Sequence, residues 1–456
     1  MHPFILNVGV GVGVAGPLTE ARGGRRPDGR RLPAGPESGT GLSRLACALA
    51  LPITAALCGC PTVPPPVTPP LVVVEVEADP LLLLAERTEG GVLVQEIDAG
   101  ELLAKAAVLA EDGEYLAAAA AYAEVALRFP DTSAEKEALY REGVCLEWAD
   151  DWTGALVTFQ KRLQLAGDGP LRADDLPALI HASLLAERLE LWTDAAAGFE
   201  RLLASDGLST GDRRAATVRL AVVLLAQGRK DEARPMLEQV IAESQQAAEA
   251  GEPVHPAPAA EAQYRLGLLE AERMIEVRLD CSPAELRRQV EKLGDIFSAA
   301  FQRLAAALWG GSPFWAVEAG DRIGALYLEV HTMFFDAPVP PALGGNERDA
   351  YLSLLRARTR ILLANALEAW EENLVRAERT GVRSEAVERT AEGIARVEEI
   401  LDARAENRTE MDQMAEDFLE AQGESDPLAP LLERLGLEPG RDEEEQGPPA
   451  PVPLVQ

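Results

Sequence analysis

Residues 112–130 read DGEYLAAAAAYAEVALRFP, and three later segments repeat their plan: DDWTGALVTFQKRL at 150–163, LELWTDAAAGFERLL at 189–203 and QGRKDEARPMLEQVI at 227–241. Each opens on an acidic or glycine-containing turn. A bulky residue follows (Tyr115, Trp152, Trp192, Lys230), then a small one (Ala118, Ala155, Ala195, Ala233), then an apolar one four positions further (Tyr122, Phe159, Phe199, Leu237). Residues three and four apart share one face of an α-helix, so each segment predicts a helix with a small residue at a close contact. The alanines are 37, 40 and 38 residues apart. A fixed period of that length marks stacked supersecondary units, none of which can bury its apolar face alone.

Upstream of each turn lies a second amphipathic helix, over 99–111, 136–149, 176–189 and 214–227. AEAQYRLGLLEAER at 260–273 supplies a fifth, with Tyr264, Leu266 and Gly267 in register, whose second helix is not clearly in register. Over residues 99–275 the pattern resembles the tetratricopeptide repeat, a 34-residue helix–turn–helix. Gly143 stands where that repeat has a small residue in its first helix, and Pro130 where its second helix ends. Lys230 at an aromatic place and Arg162 at a small place depart from it, and extra residues fall in loops such as Ala166–Asp175. The resemblance implies an all-α solenoid whose first helices line a concave groove for a protein partner. Its groove-facing positions would include Tyr140, Arg141, Glu147, Trp148, His181, Glu187 and Arg188. A Trp and two Arg facing solvent suit a peptide or helix ligand. The alternative puts Trp148 in the core and makes the charges a solvated face.

Composition agrees with helices. Ala, Leu, Glu and Arg dominate the 456 residues, and aromatics make up 5%. The formal net charge is −32; residues 1–60 carry six Arg against Glu20, Asp28 and Glu37, so about −35 falls on the rest. A body of that sign repels phosphate backbones, which argues against a nucleic-acid partner. No run of 18 apolar residues is present to span a bilayer.

The N-terminal region reads as an address. LACALALPITAAL at 45–57 is an apolar stretch of signal-peptide length, preceded by Arg44 and by Arg25, Arg26, Arg30 and Arg31. It runs into Leu57-Cys58-Gly59-Cys60, which resembles the lipobox of bacterial lipoproteins. That resemblance implies lipidation of Cys60: a thioether to diacylglycerol forms on the thiol, and cleavage before it frees an amine for a further acyl chain such as palmitate. Three acyl chains exceed what stable anchoring needs. PTVPPPVTPP at 61–70 would then be an extended spacer. A plain cleaved secretory signal with incidental cysteines is the alternative. Residues 1–41 are abnormal for a signal peptide, which fits a start codon near residue 42. Gly11, Gly13 and Gly16 formally match a dinucleotide fingerprint, but Pro17 and GGRRPDGRR follow where a helix is needed.

Between spacer and repeats, Leu71–Glu77 and Val92–Ile97 favour strand and predict a small hairpin or an extended lead-in. The region 61–98 is therefore lead-in. Beyond the repeats, residues 282–421 predict a second helical domain, a bundle or divergent repeats. A helix capped by Ser282-Pro283 with Glu285 at its third position runs to about Leu308, and others cover Phe314–Phe335, Asn346–Arg379 and Ser384–Asn407. Residues 422–456, with DEEE and PPAPVP, have the composition of a disordered tail.

No HExxH, GxSxG or phosphate-loop motif is present, and the four histidines, His2, His181, His255 and His331, are not at ligand spacing. Neither a cofactor, a metal nor a catalytic residue is expected. Cys145 and Cys281 would meet an oxidising compartment, as buried thiols or as a disulfide. The leading reading is a lipid-anchored scaffold of the Gram-negative cell envelope, similar to the tetratricopeptide lipoproteins of outer-membrane assembly, pilus assembly and gliding motility, and not an enzyme. Pro61 after Cys60, where inner-membrane retention has Asp, points to the periplasmic face of the outer membrane. The second reading is a cell-wall or polysaccharide enzyme, or its glycan-binding subunit, built on a carboxylate pair in residues 282–421.

Overall fold

A computed structural model describes residues 81–88, 91–167, 171–279, 281, 283–339 and 345–405, all within one compact unit. The signal region, Cys60, the Pro-rich spacer, the Gly11–Gly16 motif and the acidic tail lie outside the described residues. Apart from one hairpin, the described chain is helical.

The hairpin corrects one expectation. The strand that pairs with β2 (Gly91–Asp98) is β1 (Leu81–Thr88), antiparallel, with Leu82 opposite Ile97 and Thr88 opposite Gly91. Leu71–Glu77, the expected partner, lies outside the described residues. A two-residue connection brings adjacent strands together with less loop-closure entropy than a longer one. Leu82 and Ile97 pack toward Ala99 and Phe129, and Asp98 ends the strand by capping the next helix, its carboxylate accepting from the Gly100 N–H at 2.8 Å.

Helices then alternate in pairs: α1 (Ala99–Glu111) with α2 (Tyr115–Arg128), α3 (Ser133–Trp148) with α4 (Trp152–Gln164), α5 (Leu176–Arg188) with α6 (Trp192–Leu203), and α7 (Thr210–Ala226) with α8 (Lys230–Glu249). The small positions do what close contact requires: Ala118, Ala155, Ala195 and Ala233 have no exposed surface. Beside them Tyr122, Phe159, Phe199 and Leu237 are at most 2% exposed, and each full burial contributes about 1.5–3 kcal/mol. Gly143 lets α4 approach, since a Cβ there would lie 2.7 Å from the Phe159 ring.

The four turns share one geometry. The residue two before each bulky position, Gly113, Asp150, Glu190 or Gly228, has φ near +60 to +80°. The following N–H reaches back to the first helix: Glu114 to the Leu109 carbonyl, Asp151 to Leu146, Leu191 to Ala186 and Arg229 to Leu224, at 2.8–2.9 Å. This is the left-handed helix ending that glycine favours, yet two of the four carry an acidic side chain. Left-handed backbone costs a residue with a Cβ about 1–2 kcal/mol, part of which glycine loses again in the unfolded chain. Glu190→Gly should therefore slow amide exchange in α5 and α6 by an amount worth roughly 0.5–1 kcal/mol, and Gly228→Ala should speed it in α7 and α8 by about as much.

Both departures in the repeats are ion pairs. Arg162 is buried and donates to Asp175 at 2.7 Å and to the Asp174 carbonyl at 3.3 Å, fastening the 166–175 connection. Burial pushes the Asp175 carboxyl up, but its hydrogen bonds from Arg162 and the Arg172 N–H outweigh that and leave it below its ordinary 3.8. Lys230 pairs with Glu272 at the end of α9 (Ala257–Glu272).

Helix α9 packs along α10 (Pro283–Trp309), which is the second helix of the fifth pair. Gly267 is the close-contact residue, where a Cβ would lie 2.8 Å from Leu304. This pair joins the region read as repeats directly to the region read as a second domain. The last helices, α11 (Pro313–Phe335), α12 (Gly345–Thr380) and α13 (Glu385–Ala405), pack together around Trp370 and Asn373 of α12. Gly320 and Gly324 of α11 and Gly393 of α13 make the room: a Cβ on any of them would fall within 2.2–2.7 Å of Asn373 or Trp370.

Candidate functional site

First helices touch one another at α1–α3 and α7–α9, and α9 touches α11; their side chains meet in a row that crosses the repeats. Tyr140 of α3 stands edge-on to His181 of α5, centroids 5.8 Å apart, while Phe159 of α4 stacks on His181 at 5.0 Å. The His181 Nδ1 lies 2.8 and 3.1 Å from the two carboxylate oxygens of Glu147. An ionised carboxylate only accepts, so the His181 Nδ1–H donates to Glu147. Further along α5, Glu187 accepts from Arg219 of α7 at 3.2 Å; Arg219 also pairs with Glu261 of α9, which takes Arg265 at 3.2 Å. Arg265 lies 5.4 Å from the Trp315 ring centre on α11.

Burial shapes the charges in this row. It pushes the Glu187 carboxyl up, with Arg219 pulling against it, and it raises the Tyr140 hydroxyl. Burial also works against the Arg219 guanidinium, but Glu261 and Glu187 outweigh it and hold that group above its ordinary value. Three carboxylates, Glu147, Glu187 and Glu261, and two guanidiniums, Arg219 and Arg265, are thus interleaved, so the row carries little net charge in a chain of net charge −32.

The seven residues expected on one surface divide. Tyr140, Glu147, His181 and Glu187 belong to the row. Arg141 pairs with Glu137 at 2.7 Å and hydrogen-bonds Tyr122. Trp148 is 52% exposed and stacks on Tyr115 at 5.9 Å; it is not a core residue. The Arg188 guanidinium sits 3.8 Å over the Trp152 ring. Sequence reasoning did not pick out Arg219, Glu261, Arg265 or Trp315, which complete the row. The Glu261–Arg265 spacing was readable, but Arg219 finds its partners 32 and 42 residues away in sequence, and Trp315 meets Arg265 from another helix.

The chemistry available is recognition by hydrogen bonds, charge and rings. Among the described residues no cluster of three or more His, Cys, Asp or Glu gathers to hold a metal ion, and no helix is long and apolar enough to cross a membrane. Cys145 is buried and Cys281 partly exposed; both are free thiols, not a disulfide. Within 282–421 a carboxylate pair does come together, Glu318 and Asp321, but both are tied to Arg389 of α13 at 3.1 and 2.9 Å. Asp321 also accepts from Thr390 at 3.2 Å.

Residues 215–246, from α7 into α8, match the family model described as tetratricopeptide repeat. The chain carries a tetratricopeptide repeat. Solved structures with similar helices include a putative kinesin light chain repeat protein of Podospora anserina (15% identical, covering 51% of this chain and 95% of that one, TM-score 0.32). A tetratricopeptide repeat protein of Parabacteroides merdae is 13% identical over 65% of this chain and 98% of that one, with a TM-score of 0.32. YrrB, described as having an unusual peptide-binding site, is 14% identical over 54% and 91%, with a TM-score of 0.29. TM-scores this low leave the assignment of the other tetratricopeptide-like pairs to their own spacing and turns. No curated protein sequence matches the chain.

Proposed function

We propose that the protein is a lipid-anchored scaffold of the bacterial cell envelope which holds a protein partner along its first helices. The observation that carries the partner is the row itself: the partly exposed Tyr140, Glu147, His181, Glu187 and Arg219 continue from α3 through α5 to α7, with buried Glu261 of α9 and the partly exposed Arg265 beyond them. Such a surface offers hydrogen-bond acceptors and ring faces over several repeats, which fits an extended or helical segment of another protein. A near-neutral, internally paired row selects by shape and hydrogen bonds more than by net charge.

The anchor and the location rest on the sequence. Cys60 closes a lipobox-like segment, and Pro61 together with the proline-rich spacer suits a body held off the inner face of the outer membrane. Cys60→Ala should move the protein from the membrane pellet to the soluble fraction and abolish incorporation of labelled palmitate. A variant that still sediments with membranes after a carbonate wash removes the anchor from this reading.

A further inference from the structure

The turns of the repeats carry a second ladder, on the side of the helix junctions. Two residues before each left-handed position stands the last residue of a first helix: Trp148, Arg188 or Ala226. The first two face the bulky residue that opens the second helix of the preceding pair, and the repeat register puts Ala226 in the same place before Trp192. Trp148 covers the ring of Tyr115 and the Arg188 guanidinium covers Trp152. One rung on, Glu272 ends α9 and pairs with Lys230, so the same place is filled by chemistry matched to its neighbour. Between them stands Trp192, and the residue in the covering place is Ala226, which is itself exposed. Its side chain ends at Cβ and cannot lie across an indole. Among the described residues no ring or guanidinium is placed over Trp192, which remains partly exposed.

We propose that Trp192 is a docking point for an arginine side chain of a protein partner. The chain displays the chemistry of that place one rung earlier, where a guanidinium lies 3.8 Å from the indole centre. A flat, weakly hydrated cation over an indole face is a favourable contact, and Trp is the best such face. An aromatic ring would fit the shape equally, as on Tyr115, but the surroundings choose the cation. Glu190 and Asp194 are exposed on either side of Trp192, the nearby Arg229 is already paired with Glu232 at 2.7 Å, and the chain as a whole carries −32. The proposal is independent of the lipid anchor and of the row on the first helices.

The test uses the full chain with nitrogen-labelled indoles, the Trp192 signal being assigned through Trp192→Phe. Acetyl-Gly-Arg-Gly-amide is titrated to several hundred millimolar at constant ionic strength, with the citrulline peptide, of nearly the same shape without the charge, as control. A concentration-dependent shift of the Trp192 indole signal is expected with arginine and its loss with citrulline. Ala226→Arg should supply the covering group from within and abolish the shift, while Arg188→Ala should uncover Trp152 and make its signal respond as well. The proposal is overturned by a Trp192 signal that ignores the arginine peptide, by equal shifts with citrulline, by a shift that survives Ala226→Arg, or by a Trp152 signal that stays silent in Arg188→Ala.

Discussion

Arg162→Ala is expected to destabilise the repeats by about 3 kcal/mol at neutral pH, because it leaves the Asp175 carboxylate buried without its partner. Both side chains are at most 5% exposed. The loss therefore comes from an uncompensated charge as much as from the lost hydrogen bonds. Two comparisons separate that cause from simple loss of packing. Adding Asp175→Asn to Arg162→Ala should recover part of the stability, since a neutral amide is less costly to bury than a carboxylate. The pH dependence has a definite sign. Asp175 is held below its ordinary 3.8, so the stability it contributes is fully present above about pH 4–5 and is lost as the pH falls through the folded-state value. In Arg162→Ala that acid-side loss should disappear. Amide exchange in α4–α6 at pH 7 and pH 3, corrected for intrinsic rates, gives both numbers.

Trp370→Ala should be the most damaging single change in the last three helices, at about 3–5 kcal/mol. Trp370 is 2% exposed, fits against Gly324 and Gly393, and its indole N–H donates to the Asp321 carbonyl at 2.9 Å. Removal opens a cavity the size of an indole between rigid helices. It also removes the donor to a buried carbonyl, and the neighbouring Asn373, which donates to the Val317 carbonyl and to Thr390 at 3.0 and 3.1 Å, loses its support. Stacked repeats do not unfold in one step, so the measurement should be local. Amide exchange should accelerate across α11–α13 and leave α3–α8 protected. Gly324→Ala should reproduce the pattern, because its new methyl would meet the indole at 2.4 Å.

Most helices were legible because their signals are local. The expected 99–111 matches α1, and the expected 176–189 and 314–335 match α5 and α11 within a residue. Alanine spacing showed which faces meet, since close approach leaves no alternative to a small side chain. What sequence could not show depends on pairs remote in the chain. Arg162 and Lys230 looked like defects until Asp175 and Glu272 were placed beside them. Val92–Ile97 was legible as a strand, but its partner Leu81–Thr88 was not, because LLLLAERT does not alternate as clearly as LVVVEVE and the partner is chosen by what packs on α1. Asp150 and Glu190 gave no sign of left-handed backbone, since nothing local forces it; the two turns aligned with Gly113 and Gly228 were the available hint. Of the candidate site, single residues such as His181 and Glu147 could be read from helix position, but the continuation through Arg219 and Glu261 required the stack.

Purification from detergent-solubilised envelope membranes, comparing the native protein with a Tyr140→Ala/His181→Ala variant, bears most directly on the scaffold reading. Both residues are partly exposed, so the variant should keep its fold by circular dichroism. The account predicts one protein recovered in stoichiometric amount with the native chain and depleted at least tenfold with the variant. Recovery of no stoichiometric partner, or of the same partner in undiminished amount with the variant, would contradict it.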